Sequence, residues 1–436
     1  MYYFLMHKDT KVAICKDYKI VKLLDDEFLP IGTIKEDGVY TLKYWMEERK
    51  IPNKRINKRK IEKALSDIGV NFDNTAFINF GLSLEDHFWL FPLNESLPSI
   101  LLKLKSKKDD EDFPKYENIN YFQNKFDEKP MIDIISGNPI SSTSLATPDF
   151  TTNGINQKYW VIRNDKRFLV KQNDKIFEYV AEKELLAAFV IYLINRCRIA
   201  GKRKVIDATD YQFEAGKNQY QNVCYSKCFT DMDNELVTYK QLSKAFDVPQ
   251  INKKGKLEYT TEYYFKDNKI AQDYIDFIMV LDFLIENDRK EEDIGFLAKA
   301  TNFDVMKPAP LYGNCNSFAY MNKDFSRAIH EPYCGSYVNV FGMNEMEQIQ
   351  YIGKLDWIMP DLIYRESDMF LQYMFSDDMI SFPNQYKENI ANWFKYKIVM
   401  LAHEKKQNIL EDAEKQEQAE IEKNYEEGDI IIDDET

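Results

Sequence analysis

Residues 270–297 read IAQDYIDFIMVLDFLIENDRKEEDIGFL, and their order decides the fold. From Ile270 to Asn287 the stretch is apolar almost all round a helical wheel. It therefore reads as a helix buried on every side and not as an amphipathic surface helix. That helix delivers Asn287-Asp288-Arg289 into a loop, and IGFL follows as a strand. An aspartate held at this point can orient a substrate hydroxyl for in-line attack on a γ-phosphate. A capping aspartate has the same local pattern, so Asp288 alone leaves both readings open.

Upstream, three more features stand in the order that a phosphotransfer site needs. SGNPISSTSLATPDFTTNGINQ (136–157) is loop chemistry. Its Ser141, Ser142, Thr143, Ser144, Thr151, Thr152 and Gly154 offer hydroxyls and backbone amides that can cradle phosphates. YWVIRNDKRFLVKQ (159–172) alternates as two strands joined by a turn at Asn164-Asp165, and KIFEYV (175–180) reads as further strand. Lys171 ends the apolar run RFLVK, where an ammonium can reach the α- and β-phosphates of ATP. AEKELLAAFVIYLINRCR (181–198) follows as a helix, with Glu184 near its start positioned to pair with that lysine. Each feature has a plain structural reading; their shared order points to a phosphoryl-transfer cleft.

Four stretches then resemble the HipA-like serine/threonine kinases, in particular larger bacterial and phage-associated members with an N-terminal extension. GLSLEDHFWL (81–90) is similar to that extension's GLSL-x-D-x-[FY]-W segment. TPDFTTNGINQKYWVI (147–162) resembles the phosphate-loop region, and RFLVK the nucleotide-lysine strand. NDRKEEDIGF (287–296) and APLYGNCNSF (309–318) resemble the paired active-site segments. The resemblance implies an α+β, two-lobed protein-kinase-like fold with ATP and Mg²⁺ as cofactors. Its parts would be an N-terminal α/β extension (1–130), a strand-rich nucleotide-binding lobe (131–255), a helical catalytic lobe (256–410) and an acidic tail (411–436). It also implies that Lys171 contacts phosphate, Glu184 holds that lysine, and Thr151, Thr152 and Gly154 lie in the phosphate loop. Asp288 would be the catalytic aspartate and Asp293 a metal ligand. In relatives a loop hydroxyl can be autophosphorylated, and a small DNA-binding antitoxin often accompanies the kinase. The expected partners are therefore a protein substrate and an antitoxin-like protein.

The departures bear on activity. The family's D-R-H-x-x-N becomes Asp288, Arg289, Lys290, Glu291, Glu292, Asp293, so lysine replaces histidine and aspartate replaces the metal-binding asparagine. The family's P-I-[FY]-D-x-G-x-S becomes Pro310, Leu311, Tyr312, Gly313, Asn314, Cys315, Asn316, Ser317, with Gly313 where the main Mg²⁺-binding aspartate stands. Losing that carboxylate removes a ligand that holds the ion against the phosphates. Asp293 returns a carboxylate to the same shell. A weakened kinase and a pseudokinase scaffold both remain open.

Composition narrows the remaining classes. The chain has 436 residues, 44% hydrophobic, with 58 Lys+Arg against 72 Asp+Glu for a net charge of −14. Such a chain builds a core, and nucleic acid is not expected as its partner. Residues 411–436 hold twelve acidic residues and two lysines, hence −10, which leaves −4 for everything before them. The helix entering this tail is expected to reach about Tyr425 and to fray at Gly428. RKIPNKRINKRK (49–60) carries seven basic residues between two helices broken at Pro52, the second ending at Gly69. Six scattered cysteines do not form a disulfide framework and suit a reducing cytoplasm. The four histidines lie far apart along the chain without metal-ligand spacing. No run of about 18 apolar residues is long enough for a transmembrane helix, and MYYFLMHKDTKVAIC reads as a first β-strand, not as a secretion signal.

Overall fold

The computed structural model describes residues 1–31, 33–36, 38–56, 58–105, 120–126, 147–245, 268–301, 307–322, 349, 352, 355–376 and 382–429. Ser141 to Ser144 of the expected phosphate loop lie outside these residues. Within them the chain is a mixture of antiparallel sheets and helices.

The N-terminal segment is a hairpin and not one strand. β1 (Tyr2–His7) turns at Lys8, which takes a left-handed φ of 51°, into β2 (Thr10–Lys16). With β3 (Lys19–Leu23), β4 (Ile34–Glu36), β5 (Val39–Thr41) and β6 (Phe88–Leu93) they form a sheet in the order β4-β5-β3-β2-β1-β6. Side chains alternate across β1, so Phe4 and Met6 enter one core with Ile14 and Trp89, while Tyr3 and Leu5 enter another with Phe88 and Leu90. Burial on both faces explains the unbroken apolar run YYFLM. Helices α1 (Lys43–Glu48) and α2 (Lys58–Asp67) flank the break at Pro52.

A second sheet holds β7 (Lys158–Arg163), β8 (Lys166–Gln172), β9 (Tyr211–Glu214) and β10 (Val223–Lys227) in the order β7-β8-β10-β9. Asn164 and Asp165 both take left-handed φ, 49° and 58°, as a two-residue hairpin turn of this twist requires. Trp160, Ile162 and Leu169 pack on the Phe4 face of the first sheet. KIFEYV is not a strand. The Asp174 carboxylate accepts the N–H groups of Ile176 (2.6 Å) and Phe177 (2.8 Å), which turns the chain. Tyr179 then takes a φ of 64° and α3 (Val180–Ala200) begins.

β11 (Asn234–Thr238) leads toward α4 (Asn268–Ile285), after which β12 (Gly295–Lys299) and β13 (Lys307–Pro308) complete a three-stranded sheet. From Tyr274 to Ile285 every apolar side chain of α4 is fully buried, as its sequence requires. Two further helices, α5 (Pro360–Phe375) and α6 (Asn384–Asp429), close this body, with Phe277 stacked on Trp357 at 6.2 Å and Phe370 against Phe394 at 5.0 Å. α6 runs through Tyr425 and Gly428 to Asp429, beyond the expected fraying point. Continuous helical propensity upstream outweighs one glycine, which costs about 1 kcal/mol.

Residues far apart in sequence fasten the first sheet to β11. His7 Nε2 lies 2.6 Å from Glu235 Oε1, which also accepts the His87 N–H at 3.1 Å. The two histidine rings meet edge to face at 6.1 Å. Among the described residues no helix is long and apolar enough to cross a membrane.

Candidate active site

A cleft opens between the second sheet and the loops that follow α4, and its position follows from local chemistry on each side. On the sheet side, Asn173 directly follows the strand that carries Lys171. Its Oδ1 accepts the Ala181 N–H at 2.9 Å, capping the start of α3, and its Nδ2 donates to Glu182 at 2.8 Å. Asn222 also donates to Glu182, at 2.7 Å. These bonds fix α3 against β8 and bring Lys171 Nζ into hydrogen-bond contact with Glu184 Oε1, both side chains buried. Burial works against the charge on Lys171, and Glu184 outweighs it, so the ammonium is held well above its ordinary value. The second oxygen of Glu184 accepts the Asn314 N–H at 3.1 Å, tying the pair to the loop side.

Lys158 joins this group from β7. Its Cα pairs with that of Lys171, so both side chains leave the same face of the sheet. Lys158 forms no ion pair among the described residues. Burial, then the neighbouring Lys171 and Arg55, push it down to about 8. Sequence reasoning passed over it, although the two-residue turn at Asn164-Asp165 sets the register that opposes it to Lys171. Gly154, at a φ of +96°, passes so close that a Cβ there would lie 2.8 Å from Lys158 Nζ.

The two threonines of the loop are arranged differently from free phosphate ligands. Thr151 donates its hydroxyl to Pro148 O at 3.0 Å and Thr152 to Asp149 O at 2.9 Å, inside a turn whose Asp149 accepts the Trp160 N–H at 2.7 Å. Thr152 lines the cleft while Thr151 faces the turn. Arg55, from the basic turn, donates to Thr152 O at 2.6 Å and to its hydroxyl at 3.1 Å. Lys54 bonds Glu292 at 3.0 Å and Arg49 bonds Asp86, so part of that basic run is spent inside the protein.

On the loop side Arg289 is fully buried and joins three segments. It bonds the Asp282 carboxylate of α4 at 3.0 Å, Tyr312 O at 2.8 Å and Asn314 Oδ1 at 2.7 Å. Burial works against its charge, and Asp282 more than offsets this. With Arg289 anchored, Asp288 turns to the cleft. Its Oδ1 accepts from Asn316 Nδ2 at 2.7 Å, and its Oδ2 lies 3.2 Å from Lys290 Nζ. Asp293 Oδ2 accepts the Lys290 N–H at 3.2 Å, and burial, opposed by Arg289 and Lys158, raises the carboxyl to about 6.

Gly313 and Asp293 share one space. A Cβ on Gly313 would lie 2.6 Å from Asp293 Oδ1 and 2.9 Å from its Cγ, at a φ of +77° that suits glycine. The Asp293 carboxylate thus lies against the backbone of Gly313 and takes the space a side chain there would need. Among the described residues no three His, Cys, Asp or Glu side chains form a metal-holding group. One carboxylate still fits Mg²⁺, which keeps several waters and takes its other oxygens from substrate phosphates. The cleft is also lined by the apolar and aromatic side chains of Leu84, Trp160, Leu169, Leu236, Phe229 and Tyr312, the last two with rings 5.5 Å apart.

No family model matches this sequence. No curated protein matches it either. Among solved structures the fold is similar to that of the Helicobacter pylori proinflammatory kinase CtkA, at 13% identity over 58% of this chain and 95% of that one, with a TM-score of 0.38. The cleft is accordingly read from its own residues.

Proposed function

We propose that this chain is a HipA-like, ATP-dependent serine/threonine protein phosphotransferase, with the nucleotide between a strand-rich and a helical lobe. The observation that carries the reading is the mixed lining of one cleft. Leu84, Trp160, Leu169 and Leu236 line it together with Lys158, Lys171, Asp288 and Asp293. A nucleoside triphosphate combines the matching chemistries, an aromatic base and a polyanion.

In this reading Lys171, oriented by Glu184, and Lys158 neutralise the phosphates, and the backbone around Gly154, which lines the same cleft, offers N–H groups to them. Asp288 orients the attacking hydroxyl, while Asn316 and Lys290 fix its carboxylate. Lys290 also adds a positive charge where the transferring phosphoryl would sit. Mg²⁺, when bound, neutralises charge on the β- and γ-phosphates, and Asp293 is the residue that would hold it. Thr151 and Thr152 act by shaping the loop. The acceptor is a protein hydroxyl, a small antitoxin-like protein is a further expected partner, and the setting is the reducing cytoplasm, in keeping with free thiols at Cys15, Cys197, Cys224, Cys228 and Cys315.

Gly313 favours a second reading, a pseudokinase scaffold that binds a protein partner with or without ATP. One experiment separates the two. Purified protein incubated with γ-labelled ATP and Mg²⁺ or Mn²⁺ should incorporate label, and Asp288→Asn should abolish the incorporation. A thermal shift with ATP and metal but no Asp288-dependent label would select the scaffold. No label and no shift would sink both ATP-binding readings.

A further inference from the structure

GLSLEDHFWL belongs to the N-terminal segment, yet its middle reaches the cleft. Leu84 and Glu85 both line it. They are pinned to the chain that follows β10: Thr230 Oγ1 donates to Leu84 O at 2.5 Å, and the Leu236 N–H donates to Glu85 O at 2.7 Å. The Glu85 N–H bonds Ser83 Oγ at 3.0 Å, and the next residues are held by Arg49 on Asp86 and by Glu235 on the His87 N–H at 3.1 Å. The backbone of Glu85 is thus fixed on both sides.

Its side chain is not spent in the same way. Among the described residues the Glu85 carboxyl has no hydrogen-bond or ion-pair partner. The nearby Arg49 is committed to Asp86 and to Gly81 O, the latter at 3.1 Å. Burial pushes the Glu85 carboxyl up to about 7, against the pull of Arg49. Held on a rigid backbone and lining the cleft with Leu84 and Leu236, this carboxyl is placed to accept a donor from a bound ligand.

We infer that Glu85 is a specificity residue contributed by the N-terminal segment, accepting a hydrogen bond from the nucleoside part of the bound nucleotide. This rests on the nucleotide reading of the cleft. Two groups of a nucleotide such as ATP offer the required donor: the ribose hydroxyls and the exocyclic amine of the base. The phosphates offer none, so Glu85 acts on nucleoside selection and not on polyanion binding.

Calorimetric titration of the purified protein tests this with four probes: ATP, 2′,3′-dideoxy-ATP, purine riboside triphosphate and inorganic tripolyphosphate. Glu85→Ala should weaken ATP binding by about 10- to 100-fold, the range of a hydrogen bond to a charged group, and leave tripolyphosphate binding unchanged. The wild type should bind one of the two analogues more weakly than ATP, and Glu85→Ala should erase that difference. Which analogue responds identifies ribose or base as the donor. Glu85→Gln, which keeps the shape and one acceptor oxygen, should fall between the two and guard against misfolding of the alanine variant. Unchanged ATP affinity and selectivity in both variants would overturn the assignment while leaving the nucleotide reading intact. A wild type that binds neither ATP nor tripolyphosphate would overturn both.

Discussion

On the sheet side of the cleft, Lys171 is bonded to Glu184, Glu184 to the backbone of Asn314, and the helix behind them is capped by Asn173. On the loop side, Asp293 faces Gly313 across a space that holds one carboxylate and has no room for a second. The first arrangement is redundant: charge, cap and backbone all enforce one geometry. The second rests on one contact, the Asp293 carboxylate against the Gly313 backbone. In the proposed reading, nucleotide-phosphate contacts and metal contacts are therefore carried by parts of very different tolerance. Changes on the sheet side should be felt by the fold, and changes on the loop side by chemistry first.

The sharpest break of that comparison is at Asp288. Replacing it by asparagine keeps the hydrogen-bonding shape and removes the charge, so turnover should fall by about 10²- to 10⁴-fold while the ATP-induced thermal shift persists. Loss of the thermal shift as well would mean that the loop side also holds the nucleotide. On the sheet side, Lys171→Met leaves the buried Glu184 carboxylate without its cation. It should cost about 3–5 kcal/mol in urea unfolding, and adding Glu184→Gln should recover most of that. A double variant no more stable than the single one would show that the pair is not what Glu184 serves.

Restoring an aspartate at 313 should fail on its own. The new Cβ meets Asp293 at 2.6 Å, so Gly313→Asp should lose about 1–3 kcal/mol and gain no metal affinity. Pairing it with Asp293→Gly should recover stability, measurable as a rise in melting temperature over the single variant.

The smallest effect is a pH dependence at Lys158, held near 8 against an ordinary 10.5. Between those values the unfolded chain binds the proton and the folded one does not, so stability without ligand should rise with pH across this window. Below it both states carry the charge, and the folded state bears the full cost. ATP binding should move the other way, weakening as pH passes 8 and Lys158 becomes neutral. Lys158→Met should flatten both slopes, and a flat wild-type profile would remove Lys158 from the phosphate end.

Local pattern reached a good part of this site. The all-round apolar helix, the Asn164-Asp165 turn and the thirteen-residue spacing from Lys171 to Glu184 are short-range features, and each occupies the place its pattern indicates. KIFEYV does not form a strand, because alternation in six residues is weaker than one aspartate side chain capturing two backbone N–H groups. The N-terminus forms a hairpin and not one strand for a similarly local reason, a left-handed Lys8 just after the apolar run.

By itself, then, the amino-acid sequence determined the hairpin around Asn164-Asp165, the helices on either side of the cleft, the lysine–glutamate pair and the aspartate at the end of a buried helix. All of these depend on residues within one turn, one hairpin or one strand–helix step of each other. Only the tertiary structure decided that Arg55 reaches Thr152, that Glu85 enters the cleft from the N-terminal segment, and that Asp293 fills the space beside Gly313. Those contacts join separate segments of the chain, and no periodicity encodes them. They follow from how the sheets and helices pack, which fixes side-chain neighbours only once the cores on both faces of β1 and around α4 have closed.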